Sequence, residues 1–68
     1  MSVAKVIEIS AASPSSFEDA VRRGIETASK TIKNIQGAWI SEQKIRVTDN
    51  AVTEFRVSMR VSFVVSED

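Results

Sequence analysis

The sequence contains no cysteine, no histidine and no tyrosine among its 68 residues. The absence of cysteine and histidine excludes disulfide bonds and the usual zinc ligand sets, which commonly stabilise small domains. A chain of this length buries only about 60% of the surface that it exposes when unfolded. We therefore expect a single domain over residues 1–68 that gains further stability by binding copies of itself.

The absence of cysteine and histidine also limits the kinds of catalysis available to this protein. Neither a thiolate nucleophile nor an imidazole base is available, so Cys-His and Ser-His-Asp systems are excluded. The carboxylates are spread along the chain, and no general acid/base pair stands out among them. A catalytic role would therefore fall to Asp, Glu, Lys or Ser, without the side chain best suited to proton transfer near neutral pH.

The charges are balanced and the hydrophobic runs are short. Nine basic and nine acidic residues give a net charge of +0, which argues against a nucleic-acid binder with a basic excess. No apolar run approaches the ~20 residues of a membrane span. The first residues also lack the basic start and long apolar stretch of a signal peptide. We expect a cytoplasmic protein that binds neither nucleic acid nor membrane.

The N-terminal part predicts a strand followed by a helix start. Val3–Ser10 is rich in β-branched residues, which favour a pleated backbone. A short segment of small residues and a proline then ends the strand. Ser15 is the expected N-cap of the helix, with Glu18 three residues later completing a capping box.

The central segment has a helical period. Apolar residues at spacings of three and four predict a helix from Phe17 to about residues 34–37. The apolar stripe consists of Phe17, Val21, Ile25, Ala28, Ile32 and Ile35. Gly24 lies beside this stripe, and glycine costs about 1 kcal/mol in a helix interior. We interpret it as a site where another backbone approaches closely.

Two strands and a hairpin follow. Ala38–Thr48 predicts the second strand, Asp49 and Asn50 predict a tight turn, and the period-two pattern of Val52–Val65 predicts a long third strand. The apolar positions of the second strand change parity within Ser41–Lys44, which predicts a β-bulge. The expected helix-facing residues of this strand are Ala38, Ile40, Ile45 and Val47.

The order β-α-β-β predicts an α+β fold in which a three-stranded antiparallel sheet of order 1-3-2 wraps around one helix. A third strand of about 14 residues is ~45 Å long, whereas a helix of about 20 residues is only ~30 Å long. The sheet therefore outruns its helix, and its ends and second face need cover from other subunits.

Trp39 and several basic residues are the candidate functional residues. Trp39, the only tryptophan, is predicted on the sheet face away from the helix. It is either an aromatic platform for a planar ligand or an anchor in a subunit interface. The basic residues predicted on the sheet are Lys44, Arg46, Arg56 and Arg60. They either hold a phosphate or carboxylate group or pair across strands with Glu42 or Glu54.

Several short segments resemble the dodecin family in their order and spacing, over nearly the whole chain. They are Lys5-Val6-Ile7-Glu8-Ile9, Ser13-Pro14-Ser15-Ser16-Phe17-Glu18, Ala28-Ser29-Lys30-Thr31, Asn34-Ile35, and Phe55-Arg56-Val57 through Val61-Ser62-Phe63. The resemblance implies a non-catalytic, hollow homododecamer of about 90 kDa, twelve times 7.5 kDa. It also implies helices on the outside and polar sheet faces towards the interior. Some dodecins store flavins between paired tryptophans, whereas others are flavin-free and some bind calcium.

The resemblance also implies where a flavin site would lie. The flavin-stacking tryptophan of the family follows an Asn-Ile-Xaa triplet, here Asn34-Ile35-Gln36, so its position is Gly37. The position of a glutamine that contacts the flavin edge is Arg56. Trp39 lies two residues after Gly37 and offers a platform displaced by roughly 7 Å on the same strand face. The candidate ligand-binding residues are Trp39, Gly37, Arg56, Lys44 and Arg46.

Two functional hypotheses follow. In the first, a homododecamer binds, stores or buffers a small molecule, either a flavin (FMN, FAD or riboflavin) or another planar anionic ligand. In the second, a flavin-free dodecin-like shell has a structural or ion-binding role, and Trp39 is buried in an interface. The sequence does not single out metal ligands.

Overall fold

The fold is described by a computed structural model that covers residues 2–67. The elements are β1 (Ser2–Ser13), α1 (Phe17–Ala28), β2 (Ile35–Thr48) and β3 (Ala51–Glu67). The three strands form one antiparallel sheet with β3 in the middle, in the order β1-β3-β2. The predicted α+β class, element order and strand order are confirmed.

The helix begins one residue later than the capping pattern predicts. Ser16 is the N-cap, and its hydroxyl accepts a hydrogen bond from the Asp19 N–H at 3.0 Å. The prediction of Ser15 and Glu18 as a capping box is therefore wrong. Ser15 instead donates its own N–H to the hydroxyl of buried Ser13 at 2.9 Å, which holds it outside the helix.

The helix also ends earlier than its apolar stripe predicts. It has 12 residues and stops at Ala28, so the predicted end near residues 34–37 is wrong. The hydroxyl of Ser29 donates to the Glu26 carbonyl at 2.8 Å, and that of Thr31 donates to the Ala28 carbonyl at 3.4 Å. Such side chains compete with further main-chain bonds and favour a helix end. Ile35 belongs to β2 instead.

The hairpin between β2 and β3 forms as predicted. Asp49 and Asn50 both have left-handed backbones, with φ of 53° and 63°, as a two-residue hairpin turn requires. The strand register shifts between Ile40 and Glu42, which confirms the predicted bulge. Two further shifts, one near each end of β2, were not predicted.

The core lies between α1 and the sheet strands β1 and β3. The fully buried apolar residues are Ala20, Val57, Met59 and Val61. The rings of Phe17 and Phe55 meet edge to face at 5.2 Å between centroids, which joins the helix start to β3.

Gly24 is buried where the helix packs against the sheet. A Cβ atom there would lie 2.5 Å from Met59 Cε and 3.1 Å from Ala11 Cβ. The predicted close approach is therefore confirmed, but the prediction that a backbone approaches is wrong. A Cβ atom here would force the side chain of Met59 to shift and would crowd Ala11.

The helix covers only part of its side of the sheet. The register places Ile40 opposite buried Met59 and Ile45 opposite Phe55, so both lie on the helix side as predicted. Ile45 and Val47 are nevertheless 48% and 55% exposed. A helix of 12 residues is ~18 Å long, whereas the 17 residues of β3 reach ~56 Å. The prediction that the sheet outruns its helix is confirmed.

The helix found between Ser2 and Glu67 is not long and apolar enough to cross a membrane.

Candidate functional site

The sheet face turned away from α1 carries the candidate site. We call it the open face and define it by four successive rows of strand residues. The rows are Val6–Ser62–Gly37, Glu8–Arg60–Trp39, Ser10–Ser58–Glu42 and Ala12–Arg56–Lys44, each written from β1 through β3 to β2. Directly opposite residues of antiparallel strands point to the same side, so all five candidate residues lie on or beside this face.

Arg56 lies at the centre of a basic cluster near the hairpin end of the open face. Its Nε and Nη2 atoms each lie 3.1 Å from Glu54 Oε2, and its Nη1 atom donates to the Ser10 hydroxyl at 3.3 Å. Arg56 thus pairs with Glu54, but the expectation of a pair across strands is wrong for this arginine, because both residues lie on β3. The guanidinium of Arg56 already has protein partners on both sides.

Lys44 and Arg46 complete this basic cluster from β2. Lys44 is opposite Arg56, and Arg46 is opposite Glu54. Together with Ile45 these side chains line an open cavity of about 230 Å³. Three cations around one carboxylate leave an excess of positive charge, which suits an anionic group.

Trp39 and Gly37 form a second group nearer the start of β2. The indole of Trp39 is half exposed, and Gly37 is opposite Ser62, whose hydroxyl donates to the Gly37 carbonyl at 3.2 Å. A Cβ atom at Gly37 would meet only the Ser62 hydroxyl oxygen, at 3.8 Å. The missing side chain therefore leaves open space beside the tryptophan.

The structure separates the predicted residues into two groups. Trp39 is paired with Arg60, whereas Lys44 is paired with Arg56. The two arginines lie four positions apart along β3, which corresponds to roughly 13 Å. Trp39 and Gly37 thus lie together, and Lys44, Arg46 and Arg56 lie together, but the five do not surround one point.

Arg60 lies beside Trp39 but is not among the predicted ligand-binding residues. It is exposed, and Glu8 of β1 is its other neighbour across the sheet. Among the side chains that the structure describes, Arg60 forms no salt bridge, while Glu8 accepts a hydrogen bond from the Ser41 hydroxyl at 3.2 Å. The signal that identifies Arg60 is the strand register, which depends on the bulge in β2.

The two positions that the resemblance implies for a stacked flavin do not provide its usual contacts. Gly37 offers no aromatic face, and Arg56 offers a guanidinium that Glu54 and Ser10 already bind. Trp39 does supply an exposed aromatic surface on the same strand face. Within residues 2–67 the structure brings together no group of three or more acidic side chains that could hold a metal ion.

The fold is a small α+β domain of order β-α-β-β. One short helix covers one side of a three-stranded sheet, and the other side is polar. The family model described as Dodecin matches residues 3–66 of this sequence. The chain therefore belongs to the dodecin family, as its sequence resemblance predicts.

Individual relatives agree with this assignment. The chain is 35% identical over 63 residues to a protein of Mycobacterium tuberculosis (strain ATCC 25618 / H37Rv) named calcium dodecin, with 93% of this chain and 89% of that protein covered. It matches the structure of a dodecin from Streptomyces davaonensis with a TM-score of 0.92, 29% identity and 97% of both chains covered. It matches the crystal structure of calcium dodecin from Mycobacterium tuberculosis with a TM-score of 0.83 and 30% identity, over 97% of this chain and 94% of that one.

Proposed function

We propose that this protein forms a dodecin-type homododecamer that binds and stores or buffers a small planar anionic molecule, without catalysing a reaction. The observation that carries the proposal is the half-exposed indole of Trp39, which lies on a polar sheet face beside the open space at Gly37. An exposed aromatic ring bordered by cations suits a ligand that combines a flat ring with negative charge.

The uncovered apolar residues support the assembly. Ile40, Ile45 and Val47 lie on the helix side of β2 beyond the reach of α1, and each is exposed in the single chain. Contiguous exposed apolar surface of this kind marks an interaction site. A second copy of the chain is the partner that the proposal assigns to it, because a small domain without disulfides or zinc gains stability most directly by association.

The basic residues of the open face support an anionic ligand. Lys44, Arg46 and Arg56 outnumber their neighbour Glu54, and Arg60 adds a further positive charge opposite Trp39. FMN and FAD combine a planar ring with phosphate, whereas riboflavin has the ring without that charge. We therefore expect FMN to bind more tightly than riboflavin, and we expect Trp39 to supply the stacking surface.

A titration tests the ligand-binding part of the proposal. FMN fluorescence is followed while the protein is added, and the mass of the assembly is measured in parallel. We expect saturable quenching that Trp39→Phe retains in part and Trp39→Ala loses while the assembly stays intact. The matched control is Arg22→Ala, which changes an exposed charge on α1 far from the open face.

Two outcomes contradict this ligand site. Unchanged quenching in Trp39→Ala would exclude Trp39 as the stacking surface. Loss of assembly in Trp39→Ala, without FMN binding by the wild type, would favour the alternative hypothesis of a flavin-free shell with Trp39 buried in an interface.

A calcium-binding role is the second candidate function, and the relative named calcium dodecin favours it. Since the described part of one chain holds no cluster of three acidic side chains, the proposed ion site needs carboxylates from more than one copy. Equilibrium dialysis against calcium tests this candidate. Saturable binding by the assembled protein is expected, and binding no stronger than that of the unfolded chain would exclude it.

A further inference from the structure

We infer that Arg60 and Trp39 together form a subsite for an aromatic acid whose carboxylate is attached directly to its ring. Trp39 stacks on the ring, and Arg60 binds the carboxylate. The inference rests on the proposed ligand-binding function and adds the residue that sets its charge preference, together with the chemical class that fits.

The strand register brings the two side chains together. Trp39 on β2 is directly opposite Arg60 on β3, and both lie on the open face. Directly opposite residues of antiparallel strands have Cβ atoms about 4.5–5.5 Å apart. A ligand ring stacked on the indole therefore presents its own substituents to the guanidinium, without the need for a long linker.

The guanidinium of Arg60 forms no ion pair with a carboxylate that the structure describes, and it is the arginine directly opposite Trp39. Arg56 donates to Glu54 and to Ser10, so an added anion must compete with those bonds. Arg60 forms no salt bridge with the side chains described between residues 2 and 67. Its carboxylate neighbour across the sheet, Glu8, is bound by the hydroxyl of Ser41 instead.

The space around Arg60 limits the size of the ligand. Val6, Ile7, Glu8 and Arg60 line an open cavity of about 270 Å³ on the β1 side. On the β2 side, Gly37 leaves room beside the indole, because a Cβ atom there would have only one heavy atom within 4 Å. We infer a compact acid of two fused rings from the room on these two sides, and the nearby carboxylate of Glu8 disfavours a second negative charge.

Two probes of the same shape separate the contribution of the charge to binding affinity from that of the ring. Dialysis of the assembled protein against 2-naphthoate and against neutral 2-naphthamide measures each affinity. We expect the wild type to bind the acid roughly tenfold more tightly than the amide. One charge-assisted hydrogen bond at a partly solvent-exposed site accounts for a difference of that size. In Arg60→Gln the affinity for the acid should fall to that for the amide, while the affinity for the amide stays constant.

Arg22→Gln is the matched control, since it removes an exposed arginine of α1 away from the open face and should keep the preference for the acid. Arg60→Lys retains the charge and should keep most of the preference. Trp39→Ala should weaken the binding of both probes to a similar extent. The mass of each assembly is measured alongside, so that lost binding is not mistaken for lost structure.

The preference for the acid over the amide can also be tested by salt, with the wild type alone. For the wild type it should shrink between about 0.05 M and 0.5 M salt, because screening acts on exposed charge pairs. A preference that survives in Arg60→Gln, disappears in Arg22→Gln or is independent of salt would overturn the inference and leave the proposed function standing. If neither probe binds the wild type while FMN does, the inference fails alone. If no planar anion binds, both fail.

Discussion

Replacing Gly24 by alanine separates helix propensity from packing. Alanine is preferred over glycine in a helix interior by about 1 kcal/mol. The added Cβ atom, however, would lie 2.5 Å from Met59 Cε and 3.1 Å from Ala11 Cβ. Met59 is fully buried, and an overpacked core typically costs about 1–3 kcal/mol. We therefore expect Gly24→Ala to lower the free energy of unfolding by up to about 2 kcal/mol.

Chemical denaturation measures this change, at one fixed protein concentration because association contributes to stability. The control is Thr27→Ala, at an exposed position of the same helix, where we expect a change within about 0.5 kcal/mol. In a Met59→Leu background, which lacks the Cε atom, the cost of Gly24→Ala should fall by at least about 0.5 kcal/mol. A stabilising Gly24→Ala, or a cost that is unchanged in that background, would refute the packing of Met59 against the helix.

Two further predictions concern the turn and the buried serine. Asn50→Val should lower the free energy of unfolding by about 1–2 kcal/mol, because a left-handed backbone is costly for a β-branched residue, whereas Asn50→Gly should not lower it. Equal effects of the two changes in urea denaturation would contradict the turn geometry. Ser13→Ala should cost about 1–3 kcal/mol, because Ser13 is 1% exposed and donates to Asp19 while accepting from the Ser15 N–H. The exposed control Ser29→Ala should change stability much less, and equal costs would argue against the network around Ser13.

The strands could be predicted from the sequence because their pattern is local. Period-two alternation marks β3, and the change of parity within Ser41–Lys44 locates the bulge that the register shows next to Ile40. The Asp49-Asn50 pair indicates the hairpin because both residues tolerate left-handed backbones. Since each signal needs only neighbouring residues, one sequence was enough to find the strands and the hairpin.

The end of the helix could not be predicted in the same way. Ile35 continues the helical stripe of apolar residues, but it packs against the core from the start of β2 instead. An apolar residue can serve a helix face and a strand face equally well, so periodicity does not distinguish the two. Hydrogen bonds from Ser29 and Thr31 to the last helical turn favour the earlier end, and they are visible only in three dimensions.

The candidate site depends on register more than on residue type. Trp39, Lys44 and Arg56 attract attention as an aromatic and two cations, but their grouping follows from which residues are opposite one another across β3. The one-residue shift at the bulge in β2 places Arg60 opposite the tryptophan, where the register without the shift would place Val61. The uncovered apolar residues of β2 likewise become visible only when the short helix is placed on the sheet.

Native mass spectrometry of the freshly purified protein tests the proposed assembly and its ligand most directly. The account predicts twelve copies of the 7.5 kDa chain, about 90 kDa in total, and a saturable mass increase when FMN is added. A mass other than twelve chains would contradict the proposed homododecamer. A dodecamer that takes up neither FMN nor 2-naphthoate would contradict the proposed ligand-binding role.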